Sequence, residues 1–247
     1  MSIKEVVNGW RDSDVLYKNW AWILALYFYR DGIFGGLSFF RALFGAYFLS
    51  FKIFGFGFLP RVAFSHGYFK VNFRADSSSK VTSRASGMAV IFERWRSGAE
   101  TNIILGKESE LIINDSIVLG DGCKIQVESN GVLFFGGKSK SQSSGITCDA
   151  IILCFKKISI GAGTIISWGC YMSDSSQHKI NGALKVEPVL IGDHVWVSEG
   201  VTCGPGCNIG NGTIVGAKSY VAKKFPPAVV LAGCPAKILK EEVTWSR

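Results

Sequence analysis

The sequence predicts a mainly β fold, a parallel β-helix of stacked three-sided coils, preceded by an aromatic-rich and partly helical N-terminal segment. Three observations predict this fold. The 247 residues are 48% hydrophobic and only 19% charged, against about 25% charged for an average soluble chain, which excludes disorder for most of the sequence. The helical hydrophobic pattern fades near residue 100. Beyond that point, apolar residues recur at every sixth position.

The period of six residues is clearest near the C-terminus. Its lead residues are Ile191, Val197, Cys203, Ile209, Val215 and Val221, and its companions four positions later are Val195, Val201, Cys207, Thr213 and Ser219. An earlier block has the leads Cys148, Cys154, Ile160, Ile166 and Met172 and the companions Ile152, Ile158, Thr164, Cys170 and Ser176. A shorter block has the leads Ile113, Leu119 and Ile125 and the companions Ile117, Cys123 and Ser129. A fixed internal period of this kind indicates a solenoid.

Each six-residue unit has a simple physical meaning. One unit is a short strand and a tight turn, three units close a coil, and the coils stack at the strand spacing of about 4.8 Å. The lead side chain points into the prism, and the companion stands where space is tight. Six of the seven cysteines occupy these positions, so we interpret them as small hydrophobes rather than metal ligands or nucleophiles. Reduced thiols without a CxxC pair favour a cytoplasmic protein with no metal.

Residues 1–100 form a predicted segment of helical and irregular structure. The runs Ala21–Tyr29 and Ile33–Leu59 predict two helices that are buried or lie in an interface, because the longest charge-free stretch, ten residues, is too short to span a membrane. Asp76–Gly87 is polar and predicts a loop. The segment holds 13 Lys and Arg against 7 Asp and Glu, so it carries most of the net charge of +8. We therefore expect contact with the inner membrane, another subunit or an acidic glycan, and no nucleic acid.

The repeat breaks register once. The leads Met172 and Ile191 are one position further apart than three unbroken repeats would place them. The coil is therefore interrupted by an excursion over roughly Ser173–Pro188. Excursions from a rigid scaffold are where functional residues concentrate.

The excursion carries His178, one of three histidines in the chain. An imidazole with a pKa near ~6.5 can take a proton from a hydroxyl at neutral pH. Asp174, four residues earlier, is the predicted carboxylate that fixes the tautomer of this ring. His178 and Asp174 are therefore the candidate catalytic residues. His194, at an outward position of its repeat, and His66, ahead of the repeats, are secondary candidates.

The C-terminal third resembles the hexapeptide-repeat acyltransferases, specifically their sugar O-acetyltransferase branch. The matching segments are Ile191–Trp196 (IGDHVW), Val201–Gly212 (VTCGPGCNIGNG), Val215–Lys223 (VGAKSYVAK) and Val230–Lys240 (VLAGCPAKILK). The resemblance implies a left-handed coil over residues 101–240, followed by a short tail, 241–247. It also implies a homotrimer with acetyl-CoA in a cleft between neighbouring prisms.

The resemblance also implies roles for particular residues. His178 is the general base, and Trp196 lines the acetyl end of the cleft. Ala217 offers main-chain contacts to the pantetheine arm. Lys223, and secondarily Lys237, approach the nucleotide phosphates.

These observations lead to one main hypothesis and three alternatives. The main hypothesis is direct transfer of an acetyl group from acetyl-CoA to a hydroxyl of a bacterial surface glycan, such as a capsule, O-antigen or exopolysaccharide sugar. The alternatives are N-acetylation of a nucleotide-linked amino sugar, a metal-dependent hydratase and a catalytically idle scaffold. Because Glu5, Asp12 and Asp14 make the N-terminus a poor signal peptide, we expect a cytoplasmic enzyme, peripheral on the inner membrane.

Overall fold

The computed structural model describes residues 35–57, 60–65, 68–85, 87–95, 97–137 and 144–246. The described chain begins with helix α1 (Gly35–Phe54) and continues as short strands. The first predicted helix, Ala21–Tyr29, lies outside the described residues, whereas the second run forms α1. The window Leu37–Phe54 of α1 is long and apolar enough to cross a membrane, and 28% of it is buried.

Most strands are two to five residues long, as a solenoid of short units requires. The first twelve are β1 (Val62–Ser65), β2 (Val71–Ala75), β3 (Lys80–Ser83), β4 (Val90–Glu93), β5 (Thr101–Leu105), β6 (Glu110–Ile113), β7 (Ile117–Gly120), β8 (Lys124–Val127), β9 (Val132–Phe135), β10 (Ser144–Ile146), β11 (Ile151–Cys154) and β12 (Lys157–Ile160). The remaining strands are β13 (Ile165–Ile166), β14 (Tyr171–Ser173), β15 (Ser175–Ile180), β16 (Ala183–Val186), β17 (Val189–Ile191), β18 (Trp196–Val197), β19 (Thr202–Cys203), β20 (Asn208–Ile209), β21 (Ile214–Val215), β22 (Tyr220–Val221), β23 (Lys224–Phe225), β24 (Val230–Gly233) and β25 (Ala236–Lys240).

Strands that lie one coil apart pair in parallel, which produces three long sheets. Sheet I has the order β1-β4-β7-β10-β13-β18-β21-β24-β25, sheet II the order β2-β5-β8-β11-β14-β19-β22, and sheet III the order β3-β6-β9-β12-β17-β20-β23. One strand from each sheet makes one coil. Within sheet I, β24 and β25 pair antiparallel and end the stack. The predicted fold class, a mainly β chain wound as a parallel β-helix behind a helical segment, is confirmed.

The lead and companion positions of the last block form the inside of the prism. All eleven side chains are at most 3% exposed. The six cysteines assigned to such positions are also buried and free, while Cys234 is exposed. Burial raises the pKa of the Cys123, Cys154 and Cys170 thiols to about 12, so these groups stay protonated. Two companions depart from the pattern: Ser129 is exposed and Ser176 is partly exposed.

The solenoid begins earlier than predicted, at Val62 rather than at residue 101. The reason is coil length. Trp196 pairs with Ile214, three repeat units further on, whereas Val62 pairs with Val90 at the end of a much longer coil. Long corners in the first coils hide the period of six from a sequence scan. For the same reason, part of the polar stretch predicted as a loop forms strand β3, which hydrogen-bonds to β6.

The coil spacing leaves no room for a side chain at the end of β7. A Cβ added to Gly120 would stand 1.1 Å from the carbonyl oxygen of Thr147 in the next coil. This carbonyl belongs to backbone, so the obstacle cannot rotate away. Gly145 offers a milder comparison, because its added Cβ would come no closer than 3.2 Å, to the Cβ atom and the carbonyl oxygen of Val118.

We predict that Gly120→Ala lowers the free energy of unfolding by about 3 kcal/mol, the upper end for overpacking. Gly145→Ala is the control and should cost clearly less. Thermal unfolding followed by circular dichroism measures the difference. Equal melting temperatures for the two variants would contradict the close stacking of β7 on the next coil.

Candidate active site

The excursion between β14 and β17 is a β-hairpin. Strands β15 and β16 pair antiparallel, and Ile180 lies opposite Ala183 across the two-residue turn. The turn residues Asn181 and Gly182 have φ values of 51° and 79°. Two positive φ angles match the twist of a tight hairpin, and Asn-Gly is the pair that adopts them most readily. The hairpin therefore projects from the corner where sheet II passes to sheet III.

His178 lies on β15 with its side chain exposed. The Ser176 hydroxyl donates a hydrogen bond to the carbonyl of His178 at 2.9 Å and accepts one from the Lys185 amide at 3.2 Å. The Gln177 side-chain amide donates to the Tyr171 hydroxyl at 2.9 Å, which ties the hairpin back to β14. Within the described part of the chain, the exposed His178 ring makes no hydrogen bond to protein.

Asp174 does not orient the His178 ring, as the sequence predicted, but binds backbone N–H groups. Its side chain is fully buried, and its carboxylate accepts the backbone N–H groups of Phe155, Lys156 and Lys157 at 2.7, 2.7 and 2.6 Å. A carboxylate has about four lone-pair sites, and three are filled by this corner of the preceding coil. The predicted pairing with His178 is corrected accordingly: Asp174 fixes the corner from which the hairpin departs.

Two other aspartates of the solenoid also accept hydrogen bonds from backbone N–H groups at a corner. The carboxylate of Asp121 accepts the Trp95 and Gly98 amides at 3.0 and 2.7 Å. Asp193 accepts the Ala162 amide at 2.7 Å. In each case the carboxylate satisfies N–H groups that a sharp corner leaves without a strand partner. The recurrence supports a structural role for Asp174.

His194 is also structural. Its ring stacks on the indole of Trp245 with centroids 4.1 Å apart and an angle of 4°. The Trp245 indole N–H donates to the His194 carbonyl at 3.0 Å, and Nε2 of His194 lies 3.0 Å from the Trp245 carbonyl. The C-terminal tail is held to the turn before β18 by these contacts. His66, the other secondary candidate, lies outside the described residues.

The remaining predicted site residues are all exposed but occupy different parts of the prism. Trp196 opens β18 on sheet I, is 40% exposed and lies 6.0 Å from Trp245 between ring centroids. Ala217 lies at the corner from sheet I to sheet II, beside the ion pair between Lys218 and Glu199 at 3.0 Å. Nothing in sequence spacing could place that pair, because it joins corners of successive coils.

Lys223 lies at the corner from sheet II to sheet III, which is also the corner of the His178 hairpin two coils earlier. Its Nζ atom is 5.2 Å from the ring centroid of Phe225. Lys237 is on β25 opposite Ala232, at the end of the stack. One edge of the prism therefore presents His178 and Lys223, and another presents Ala217. Across residues 35–246, with the gaps given above, no group of three or more His, Cys, Asp or Glu side chains could hold a metal ion.

No family model matches the sequence. The chain is 28% identical over 148 residues to WbbJ of Escherichia coli strain K12, named as a lipopolysaccharide biosynthesis O-acetyl transferase; the match covers 54% of this chain and 73% of WbbJ. It is 35% identical over 97 residues to WcaF of the same strain, named as a colanic acid biosynthesis acetyltransferase; that match covers 38% of this chain and 53% of WcaF. The solved polysialic acid O-acetyltransferase OatWY aligns with a TM-score of 0.48 and 23% identity, over 73% of this chain and 92% of OatWY.

The chain thus spans about half the length of WcaF and nearly three quarters of WbbJ. With its period of six and its three-sided parallel solenoid, the chain has the features that its resemblance to the hexapeptide-repeat acyltransferases implies. It is an enzyme of the acetyltransferase class.

Because Asp174 binds the backbone of a coil corner, its substitution should affect the stability of the protein and not its turnover. We predict that Asp174→Asn lowers stability by about 2 kcal/mol, because an amide group accepts the three N–H groups less well than a carboxylate does. The kcat of the folded fraction should change less than threefold, since His178 keeps its position. Thermal unfolding and turnover are measured on the same preparation. A large fall in kcat at unchanged melting temperature would restore the orienting role.

Proposed function

We propose that the protein transfers an acetyl group from acetyl-CoA to a hydroxyl of a bacterial surface glycan. The observation that carries the proposal is the exposed imidazole of His178, held on a hairpin that interrupts an otherwise regular solenoid. The names of WbbJ and WcaF, which refer to lipopolysaccharide and colanic acid biosynthesis, support this acceptor class.

The proposed reaction is direct transfer. A nitrogen of the His178 ring accepts the proton of the sugar hydroxyl while the hydroxyl oxygen attacks the thioester carbonyl. The tetrahedral intermediate then collapses, the carbon–sulfur bond breaks, and the imidazolium returns its proton to the thiolate of coenzyme A. An enzyme-bound thioester is not needed, and the buried Cys123, Cys154 and Cys170, with pKa values raised to about 12, are unsuited to form one.

The binding of the donor is proposed to require two neighbouring protomers of a homotrimer. Supporting this, the residues assigned to acetyl-CoA lie on different edges and faces of one prism. Ala217 is at the corner of sheets I and II, and His178 and Lys223 are at the corner of sheets II and III. If two prisms meet edge to edge, one contributes His178 and the other contributes Ala217 and Trp196 to one groove. We further propose a cytoplasmic enzyme bound at the inner face of the membrane.

We predict that His178→Ala lowers kcat by about 10²–10⁴-fold, the usual loss on removal of a general base. Lys179→Ala is the matched control, since Lys179 is the exposed neighbour on the same strand, and its turnover should stay near wild type. Steady-state release of coenzyme A thiol gives the rates. Turnover of His178→Ala within a factor of about three of wild type would eliminate His178 as the base.

The shared groove predicts complementation between two impaired variants. His178→Ala and Trp196→Ala homotrimers should each be slow, but co-refolded mixtures should regain activity, because mixed trimers contain grooves with both natural side chains. Each variant refolded alone is the control. If mixing restores no activity although mass measurements show mixed trimers, each site lies within one protomer.

The chemistry of the product tests the acceptor class. Acetyl transferred to a hydroxyl is an ester and is released in mild alkali, whereas acetyl transferred to an amine is an amide and persists. With labelled acetyl-CoA and a panel of capsule and O-antigen glycans, we expect alkali-labile label in the glycan. Alkali-stable label on an amino sugar would replace O-acetylation by N-acetylation.

A further inference from the structure

Helix α1 closes the open end of the solenoid. It packs against β1, β2 and β3, which are the terminal strands of the three sheets. The side chains that face the first coil are buried: Phe39, Ala42, Ala46, Leu49 and Ser50. The Ser50 hydroxyl accepts the Arg61 amide at 2.8 Å, at the entry to β1. Solenoids need such a cap, because their end strands otherwise expose unpaired backbone and apolar core.

The other face of α1 is also apolar, which is unusual for a capping helix. Its large exposed side chains lie mostly three or four residues apart and therefore share one broad face: Leu37, Phe40, Phe44, Tyr47, Phe48 and Phe51. Their exposed fractions run from 41% at Tyr47 to 79% at Phe44. We call this surface the apolar stripe. Contiguous exposed apolar surface on this scale marks a site of contact with a membrane or a partner.

Cations lie on α1 and on the neighbouring strand β2, and the first turn of α1 has no acidic residue. Lys52 and Arg74 are exposed, and within the described ranges neither forms an ion pair or hydrogen bond. Lys70 pairs with Glu100 at 2.5 Å, so its charge is partly compensated. Arg41 lies over the ring of Tyr68, 5.3 Å from the centroid.

Lys52 and Arg74 line one cleft. The space between α1 and β2 encloses about 450 Å³ and is bordered by Phe48, Lys52, Tyr68, Lys70 and Arg74, among others. An aromatic wall with ammonium and guanidinium groups suits an anionic oxygen group attached to an apolar chain. Phe48 belongs both to this cleft and to the apolar stripe, so the cleft opens directly beside the stripe.

We propose that α1 is a membrane-docking element: the apolar stripe enters the interface of an anionic bilayer, and the cleft beside it receives a lipid phosphate between Lys52 and Arg74. The helix lies in the interface and does not span the bilayer. A spanning α1 would draw β1, β2 and β3, with the polar corner at Asp76–Ser79, into hydrocarbon. Aromatic and basic residues on one amphipathic helix are typical of interfacial binding.

The proposed trimer strengthens this docking, and only this step rests on it. A threefold rotation preserves direction along its axis, so all three caps would face the same side. Three weak contacts would then act together on one bilayer. The hairpin that carries His178 would stand at a fixed height above the membrane, four coils from the cap.

Because α1 covers the first coil, membrane docking has to be tested with point substitutions and not with a deletion of the helix. Deleting residues 1–59 would remove the buried face of α1 and uncover the first coil, so a loss of membrane binding would have two causes. Point substitutions on the apolar stripe leave the buried face intact. Melting temperature and activity on a short soluble acceptor report whether fold and catalysis survive.

Flotation of the full-length protein with vesicles provides the measurement. The vesicles are phosphatidylcholine alone or phosphatidylcholine mixed with phosphatidylglycerol. We expect the natural protein to float with the mixed vesicles. The double variant Phe44→Ser, Phe51→Ser should remain at the bottom with both kinds of vesicle.

The double variant Lys52→Glu, Arg74→Glu tests the cleft and should weaken binding to mixed vesicles at least about tenfold. The control, Lys124→Glu with Lys157→Glu, makes the same charge change on the solenoid wall and should float like the natural protein.

Several results would overturn the docking proposal. The natural protein could fail to float with either vesicle, or the control pair could lose binding as much as the cleft pair. If Phe44→Ser with Phe51→Ser lowers the melting temperature and leaves flotation unchanged, residues 1–34 of the same chain cover the apolar stripe. If those substitutions change the oligomeric mass instead, a second copy covers it. Acetyl transfer to the soluble acceptor is independent of all these outcomes.

Discussion

Parallel backbone hydrogen bonds between successive coils are the constraint on which the rest of the molecule depends. Each coil must repeat the path of the one before it, so inward side chains fall in columns. Ile166 stacks on Val197 and then on Val215 in one sheet, and all three are buried. The eleven lead and companion positions of the last block hold only small or branched groups, which explains why the thiols of Cys203 and Cys207 can fill them. Any insertion has to leave the coil at a corner, because a strand cannot lengthen without breaking its ladder.

The hairpin that carries His178 follows from that rule. It departs after β14 and returns at β17, so the coils on either side keep their pairing. The departure point needs a fixed corner, and Asp174 supplies it by accepting three amides of the preceding coil. The rigid solenoid thus holds the His178 side chain on a projecting hairpin. This arrangement suits a general base that must reach a substrate held by a neighbouring surface.

How far the sequence predicts the structure depends on coil length. The last block is predicted position by position, because each of its coils has three units of six, as in the pairing of Thr202 with Tyr220. The first coils are missed, because Val71 pairs with Thr101 across a longer coil with irregular corners and no short period survives. The hairpin had a readable signal in Asn181-Gly182, which favours a tight turn.

Other features depend on contacts that no local pattern encodes. Asp174 is four residues from His178 in sequence, but its partners lie 17 to 19 residues earlier, one coil away. The stack of His194 on Trp245 joins residues 51 positions apart through the path of the tail. The sequence of α1 shows that apolar residues occur on both of its faces. Only the packing shows which of the two faces covers the first coil.

Hydrogen exchange of backbone amides, measured with and without acetyl-CoA, tests whether the hairpin and the corner of Ala217 form the donor groove. At saturating acetyl-CoA, exchange should slow in residues 175–186 and 216–218, while α1 exchanges at its original rate. If acetyl-CoA binds and those amides are unchanged, or if it does not bind at all, the account is contradicted.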